Sequence, residues 1–236
     1  MLFENGLTPP IARMSRRGFR FAAVAVGVAL LLADFTGARR TVLASRPQST
    51  GQKSPETKRA ITYFIAAGSS ENGYRMSDRE LAVWALEAWQ RSAGNGLQIK
   101  AANESNALIR LYWAGPNEGE YGETRPLIVG GQQGAEVFIR PDMESLGPEI
   151  ARRAGIDGLL RDSIVYLTCL HEFGHALGLE HTRDFRDIMY YFGYGGDVVQ
   201  YFGRYRAQIH SRRDIATVSG LSDADVSRIR ELFPPE

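Results

Sequence analysis

The strongest constraint on the fold of this chain lies in residues 171–181, which read His-Glu-Phe-Gly-His-Ala-Leu-Gly-Leu-Glu-His. On a helix, His171 and His175 project from one face, because side chains four residues apart lie one above the other, and both imidazoles can bind a single Zn²⁺. Gly178 can adopt the positive φ that ends a helix and turns the chain back, so His181 can supply a third nitrogen. Three protein ligands leave one coordination position for water. This arrangement is typical of catalytic zinc sites, whereas structural sites usually have four protein ligands.

Glu172 follows the first histidine and can take up and release protons beside the metal. The bare pattern His-Glu-x-x-His also arises by chance on ordinary amphipathic helices. The longer pattern is more specific, because Gly178 and His181 stand where a metal-binding turn requires them and the motif holds three of the chain's 4 histidines. A zinc site that has lost its activity is the remaining alternative. The fourth histidine, His210, is predicted to lie on the surface or to form an ordinary hydrogen bond.

The motif H-E-x-x-H-x-x-G-x-x-H followed by a methionine resembles the signature of the metzincin zinc peptidases. Met189 stands eight residues after His181, an interval similar to that of the matrixins in this group. The resemblance implies that the three histidines hold one catalytic zinc, with Glu172 as general base and a protein or peptide as substrate. It also implies that Met189 forms an apolar floor beneath the metal. The alternative is a methionine that only fills a gap in the core, since methionine packs well into irregular spaces.

Tyr191 occupies the position at which astacin-like and serralysin-like metzincins carry a tyrosine near the zinc. Matrixins more often have proline there. A catalytic role for Tyr191 and a role in packing are therefore both open.

Two further segments are candidates for substrate binding. Residues 192–220 are longer than the matrixin counterpart and rich in aromatic residues, so they either form a pocket wall or pack as a separate aromatic cluster. Matrixin-like enzymes bind an extended substrate along a strand edge, and residues 127–131, which follow Pro126, are the candidate edge here. An apolar pocket formed by residues 190–194 would favour a bulky hydrophobic side chain just after the cleaved bond.

The similarity to matrixins covers residues 59–236 and implies a zincin-like α+β domain. Such a domain has a twisted mixed sheet, an active-site helix and a C-terminal helix, here expected at residues 221–233. Apolar residues at helical spacing, among them Trp84 and Trp89, predict a first helix whose tryptophans lie in the core. β-Branched and aromatic runs separated by Asn, Gly and Pro predict short strands at residues 61–65, 97–101, 107–113, 127–129 and 136–140.

Capping signals predict where two of the helices begin. Residues 77–80 form a Ser-x-x-Glu capping box ahead of the first helix. Asp162 or Ser163 is predicted to cap the active-site helix, which continues to the glycine of the motif. Cys169 points about 200° round this helix from His171, so it is predicted to be a buried small hydrophobe and not a fourth metal ligand.

Residues 1–44 are predicted to be an export signal. Two arginines precede an apolar run at residues 21–33, which is short for a membrane span and typical of the core of a signal peptide. Residues 15–19 also resemble a twin-arginine signal, so the export route stays open between the two types, and an uncleaved anchor is a disfavoured third alternative. Residues 45–58, rich in Ser, Gln, Pro and Lys, are predicted to form a flexible linker.

Composition predicts one globular domain after the linker. The chain has 236 residues, 44% of them hydrophobic, and a formal net charge of +1. No basic stripe indicates a nucleic-acid partner, and no stable membrane insertion is expected after removal of the signal. The single cysteine excludes an intramolecular disulfide and lies outside the N-terminal region, so a cysteine-switch propeptide is not expected. Ca²⁺ is a second candidate ion because Glu and Gly cluster at residues 117–123, for which a solvated loop is the alternative.

These patterns and the resemblance predict a secreted zinc-dependent endopeptidase, periplasmic or extracellular and monomeric. Peptide bonds would be hydrolysed by a zinc-activated water with Glu172 as general base. One alternative is a catalytically inactive zinc-containing binding or adhesion protein. Glu172 argues against it, because a purely structural site needs no carboxylate there. The other alternative is a zinc hydrolase that acts on cell-wall peptides, which the sequence does not distinguish from the first prediction.

Overall fold

The computed structural model describes residues 59–115 and 120–234 of the chain. The signal segment predicted at residues 1–44 and the linker predicted at residues 45–58 lie outside the described residues, so both stay predictions. Within the described part, no helix is long and apolar enough to cross a membrane.

The centre of the domain is a mixed sheet of five strands. They span Arg59–Ile65 (β1), Leu97–Ala101 (β2), Ile109–Trp113 (β3), Gly122–Val129 (β4) and Gln132–Ile139 (β5). Their order in the sheet is β2-β1-β3-β5-β4. All pairs are parallel except that β4 runs antiparallel to β5, at the edge of the sheet. The predicted α+β fold with a mixed sheet is confirmed.

The hairpin formed by β4 and β5 is longer than predicted. Gly130 and Gly131 connect the two strands with φ angles of 56° and 80°, which glycine adopts without steric cost in a two-residue turn. The prediction at residues 127–129 found only the end of β4. The first half, residues 122–126, has no alternation of apolar and polar residues and contains Pro126, which is tolerated because β4 is an edge strand.

The described residues contain five α-helices that span Asp78–Ala93 (α1), Pro148–Ile156 (α2), Gly158–Ala176 (α3), Val198–Arg206 (α4) and Asp223–Leu232 (α5). The short helices α2 and α4 were not predicted. Trp89 of α1 is completely buried, and its Nε1 donates to the carbonyl of Leu170 in α3 at 2.8 Å. Trp84 is only partly buried and carries the Arg212 guanidinium 4.9 Å above its ring. Of the two tryptophans predicted in the core, only Trp89 is therefore fully inside it.

The predicted capping box ahead of α1 is wrong. Ser77 makes no side-chain capping bond, and the carboxylate of Asp78 accepts instead from the backbone N–H of Arg75 at 2.8 Å. Asp78 also pairs with Arg161 of α3, and both side chains are buried. A buried guanidinium needs a carboxylate partner, so this long-range ion pair determines the position of Asp78.

The predicted start of the active-site helix is also wrong. Asp157 caps α3 by accepting from the backbone N–H groups of Leu159 at 3.0 Å and Leu160 at 3.1 Å. Asp162 and Ser163 lie inside the helix and are buried. Their polar groups have other partners. Asp162 pairs with Arg212, and the Ser163 hydroxyl donates to the carbonyl of Leu159 one turn earlier.

Asp157→Ala is expected to lower the free energy of unfolding by about 1–2 kcal/mol, because the first turn of α3 loses its side-chain acceptor. The ion pair between Asp157 and Arg206 of α4, 2.8 Å long, is lost as well. Urea unfolding of the wild type and the variant measures the difference. Asp223→Ala is the control, since this exposed residue in the first turn of α5 is expected to contribute only about 0.3–1 kcal/mol. Equal losses in the two variants would contradict the capping role of Asp157.

Candidate metal centre

The structure brings the three histidines of the motif together. His171 and His175 lie on α3, and His181 follows the turn after this helix. One ligand atom from each lies within 4.8 Å of the others. The Nε2 atoms of His175 and His181 are 3.1 Å apart. Two nitrogen ligands of a tetrahedral zinc are about 3.3 Å apart, given Zn–N distances of about 2.0–2.1 Å, so the spacing suits this ion.

A glycine turn ends α3 and redirects the chain. Gly178 has a φ of 102°, and its N–H donates to the carbonyl of His175 at 2.9 Å. The N–H of Leu179 donates to the carbonyl of Gly174, also at 2.9 Å. These two bonds are those of a Schellman motif. The carbonyl of Leu179 in turn accepts from His175 Nδ1 at 2.8 Å, so the turn that delivers His181 also orients His175.

Hydrogen bonds to backbone carbonyls fix the tautomers of two ligands. His171 Nδ1 lies 2.7 Å from the carbonyl oxygen of Ile188, and His175 Nδ1 contacts Leu179 in the same way. A carbonyl only accepts, so each Nδ1 carries the proton and each Nε2 keeps a free lone pair.

The histidines are neutral as well as correctly oriented. Burial lowers the pKa of His171 to about 3, and burial also lowers the pKa values of His175 and His181. Neutral imidazoles with free Nε2 lone pairs are the donor set that Zn²⁺ prefers, and most zinc-bound histidines donate from their other ring nitrogen to an acceptor such as a backbone carbonyl. The residues present therefore fit one zinc ion.

The side chain of Glu172 extends from α3 to the edge strand β4. Its side chain is buried, and burial raises its pKa to about 7, although the hydrogen bond from Thr124 acts in the opposite direction. The Thr124 hydroxyl donates to Glu172 Oε2 at 2.7 Å. A Cβ at position 122 would lie 2.5 Å from Glu172 Oε1, so Gly122 leaves the space that this carboxylate occupies. A cation at the histidines would favour the ionised carboxylate, because an adjacent positive charge lowers the pKa of an acid.

Met189 is completely buried and packs against α3 next to a metal ligand. Its sulfur lies so close to Gly174 that a Cβ at this position would collide with it. Trp89 of α1 borders the same point, 3.1 Å from where that Cβ would be. Met189 is thus an apolar contact beneath the part of the helix that carries His175.

Sequence reasoning missed the polar network that holds residues 187–189, here called the Met189 loop. The Asp225 carboxylate, fully buried at the start of α5, accepts from the N–H of Ile188 at 2.8 Å. Ser222 donates from its hydroxyl to Asp187 at 2.6 Å, and Arg228 bridges Asp187 and Asp225 at 2.9 and 2.7 Å. The local signal was present, because Ser222 and Asp225 form a capping box. The same two residues also bind Ile188 and Asp187, and the sequence does not reveal these long-range contacts.

Tyr191 lies beside the third histidine. Its ring centroid is 4.7 Å from that of His181, and 46% of the residue surface is exposed. Its backbone N–H donates to the carbonyl of Thr182 at 3.2 Å, which joins the two chain segments that flank the site. The geometry is compatible with packing and with catalysis, so the role of Tyr191 stays a prediction.

The aromatic segment divides into two parts. Tyr201, Phe202 and Tyr205, all on α4, are buried in the core, whereas Tyr191 and Tyr194 are exposed. The α4 part therefore packs in the core, and of the residues before it the buried Tyr190 and the exposed Tyr191 and Phe192 lie at the site.

A cleft of about 1430 Å³ contains the histidines and Glu172. Residues 122–126 of β4 line one part of it and residues 190–192 line another. The strand edge at the site is thus the first half of β4. Of the edge predicted at residues 127–131, residues 127–129 belong to the edge strand but do not line the cleft, and residues 130–131 form the turn.

No calcium site is supported. Residues 117–119 of the predicted calcium loop lie outside the described residues. In the described ranges, the three histidines are the only group of at least three acidic, histidine or cysteine side chains with metal-ligand spacing. Cys169 is completely buried and is not part of that group, as predicted.

The matrixin family model matches residues 158–200, which run from the start of α3 through the Met189 loop into α4. None of the curated proteins matches the chain. Among solved structures, myroilysin has a TM-score of 0.37 at 16% identity, covering 75% of this chain and 93% of its own. Archaemetzincin from Methanopyrus kandleri has a TM-score of 0.38 at 11% identity, covering 76% of this chain and 98% of its own. The predicted resemblance to matrixin-type metzincins is confirmed by the family match, which together with the histidine cluster supports a zinc metallopeptidase.

The full-length protein is expected to contain about one zinc per chain, and His175→Ala is expected to lose it, because two imidazoles rarely hold zinc tightly. Metal analysis of the purified proteins tests this. His210→Ala is the matched control, since His210 is exposed and lies outside the cluster, and it should keep its zinc. Full occupancy in His175→Ala would end the assignment of this ligand.

Gly174→Ala is expected to destabilise the fold by about 1–3 kcal/mol, because the added methyl collides with Met189 in a well-packed core. Gly203→Ala, in α4, is the control, since a Cβ there has no neighbour within 4 Å. It should stabilise the protein by about 0.5–1 kcal/mol through its better helix propensity. Denaturant unfolding gives both values. If both variants changed the free energy of unfolding in the same direction, the packing of Met189 on Gly174 would be refuted.

Proposed function

We propose that the protein is a secreted zinc-dependent endopeptidase. The observation that carries the proposal is the position of Glu172, a carboxylate in the cleft beside three histidines whose ligand atoms lie within 4.8 Å of one another. A purely structural site would require a fourth protein ligand, and no group of four such side chains occurs in the described ranges. The match to matrixins over residues 158–200 supports the same activity.

Zinc, when bound, supplies a Lewis acid that polarises the scissile carbonyl and lowers the pKa of water from about 15.7 to about 7. Glu172 takes the proton of the attacking water and passes it to the leaving amine, a general acid–base role that contributes roughly 10²–10⁴ in rate. Thr124 holds one carboxylate oxygen, which leaves Oε1, on the side of Gly122, for the proton. His171 and His175 keep their Nε2 atoms available for the metal through the tautomers described above, and His181 supplies the third nitrogen.

An extended peptide would bind along the free edge of β4, where main-chain hydrogen bonds provide affinity. Pro126 has no N–H, so pairing would be confined to residues before it. Tyr191 and Phe192, both exposed, border the cleft and would favour a bulky hydrophobic side chain next to the cleaved bond. Residues 1–44 support export, and the working form is proposed to be a monomer outside the cytoplasm.

Glu172→Gln is expected to retain zinc and fold while losing most peptidase activity, because an amide cannot accept the proton. A loss of roughly 10²-fold or more is expected in the turnover of casein or a quenched peptide. Glu180→Gln is the matched control, since Glu180 is an exposed residue of the same motif. A chelator should abolish wild-type activity, and added Zn²⁺ should restore it. Turnover of Glu172→Gln within a few-fold of wild type would show that Glu172 is not the base, and a wild type inactive on all peptides would favour the binding protein.

A further inference from the structure

The backbone carbonyl of Ile188 accepts from two side chains. His171 donates from Nδ1 at 2.7 Å, and the Tyr201 hydroxyl lies 3.2 Å from the same oxygen. The hydroxyl is also 3.1 Å from the carbonyl oxygen of Asp187, so its single proton is shared between two consecutive carbonyls. A carbonyl oxygen has two lone pairs, so Ile188 can accept from His171 and Tyr201 at the same time.

Packing holds Tyr201 in one position. The residue is 3% exposed, and the ring centroids of Phe185, Phe192 and Phe202 lie 5.5, 4.9 and 5.4 Å from its own. The Arg204 guanidinium lies 5.0 Å from the ring centroid. Burial raises the pKa of Tyr201, so the hydroxyl keeps its proton and remains a donor at neutral pH.

The N–H of Ile188 is bound from α5, since it donates to the buried Asp225 carboxylate at 2.8 Å. Residue 188 therefore contacts polar side chains from three helices, which are α3 through His171, α4 through Tyr201 and α5 through Asp225. Hydrogen bonds are directional, so the orientation of the Ile188 carbonyl sets the orientation of the His171 ring.

We propose that Tyr201 is a positioning residue of the metal centre. Its hydroxyl restrains the carbonyls of Asp187 and Ile188, and this restraint orients the His171 imidazole so that Nε2 faces the other two histidines. The inference rests on the proposed zinc site but not on peptidase activity. It gives α4, which lies outside the histidine motif, a part in metal binding in addition to packing.

A consequence is that metal binding and the docking of α4 stabilise each other. If Tyr201 in its place raises the affinity for the metal, then bound metal must favour the conformation in which Tyr201 is in place, because such coupling is reciprocal.

Tyr201→Phe in the full-length protein tests the proposal, because it removes one oxygen atom and keeps the ring. The dissociation constant for Zn²⁺, measured by competition with a chromogenic chelator, is expected to rise roughly fivefold to tenfold. Direct removal of an outer-shell partner typically costs about 10–100-fold, and Tyr201 acts through a carbonyl. The visible absorption bands of the Co²⁺-loaded protein are expected to shift, since they report the geometry of the ligands.

Tyr205→Phe is the matched control. Tyr205 lies on the same helix and is 2% exposed, but its hydroxyl donates to the carbonyl of Val218 at 2.7 Å and not to the Met189 loop. It should lose similar thermal stability and leave the Zn²⁺ dissociation constant and the Co²⁺ spectrum unchanged. Equal dissociation constants for wild type and Tyr201→Phe, or equal changes in both variants, would overturn the proposal, as would a Tyr201→Phe that fails to fold while Tyr205→Phe folds. A wild type that binds no Zn²⁺ would overturn the metal site itself and this inference with it.

Discussion

Two hydrogen bonds from histidine Nδ1 atoms to backbone carbonyls are the interactions on which the site depends. A neutral imidazole has one donor and one acceptor, so a carbonyl that accepts from Nδ1–H leaves the Nε2 lone pair for a metal. Neither acceptor belongs to the helix that carries His171 and His175. Leu179 is in the glycine turn after α3, and Ile188 is in the loop that precedes Met189. The helix supplies spacing, and irregular backbone supplies orientation.

Irregular backbone holds its shape only where other groups restrain it, and here buried carboxylates provide much of that restraint. Asp225 is completely buried and Asp187 is 3% exposed, and both pair with Arg228. Buried ion pairs add little net stability, but removal of one partner typically costs about 3–5 kcal/mol because a charge is left unpaired in the interior. The main effect of the network is therefore to fix one conformation of the Met189 loop. In the same way, the ion pair of Asp78 with Arg161 fixes the position of the N-terminal end of α1 against that of α3.

The success of the sequence-based predictions depended on the range of the interactions involved. The order of the strands along the chain, the metal-binding turn at Gly178 and the burial of Cys169 follow from local spacing. Helix α1 begins after Ser77 as predicted, but the capping bond of Ser77 and the start of α3 at Asp162 or Ser163 were predicted wrongly. The carboxylates of Glu80 and Asp162 both bind Arg212, far away in the chain. The support of His171 by Tyr201 was missed for the same reason, since α4 and α3 meet only in the folded protein.

The first half of β4 was missed for a functional reason. Side chains two residues apart in a strand face the same side, and positions 122 and 124 both face Glu172. Gly122 leaves room for the carboxylate, and Thr124 donates to it. On the other face, Glu123 pairs with Arg125 at 2.7 Å, and Arg125 covers the ring of Phe138. Neither face of this part of the strand needs the apolar residues that mark a strand over a hydrophobic core. A strand that borders a polar site carries residues that suit the site and therefore lacks the alternation of apolar and polar residues by which strands are recognised. The alternation rule fails here because the Glu172 carboxylate contacts this part of the sheet.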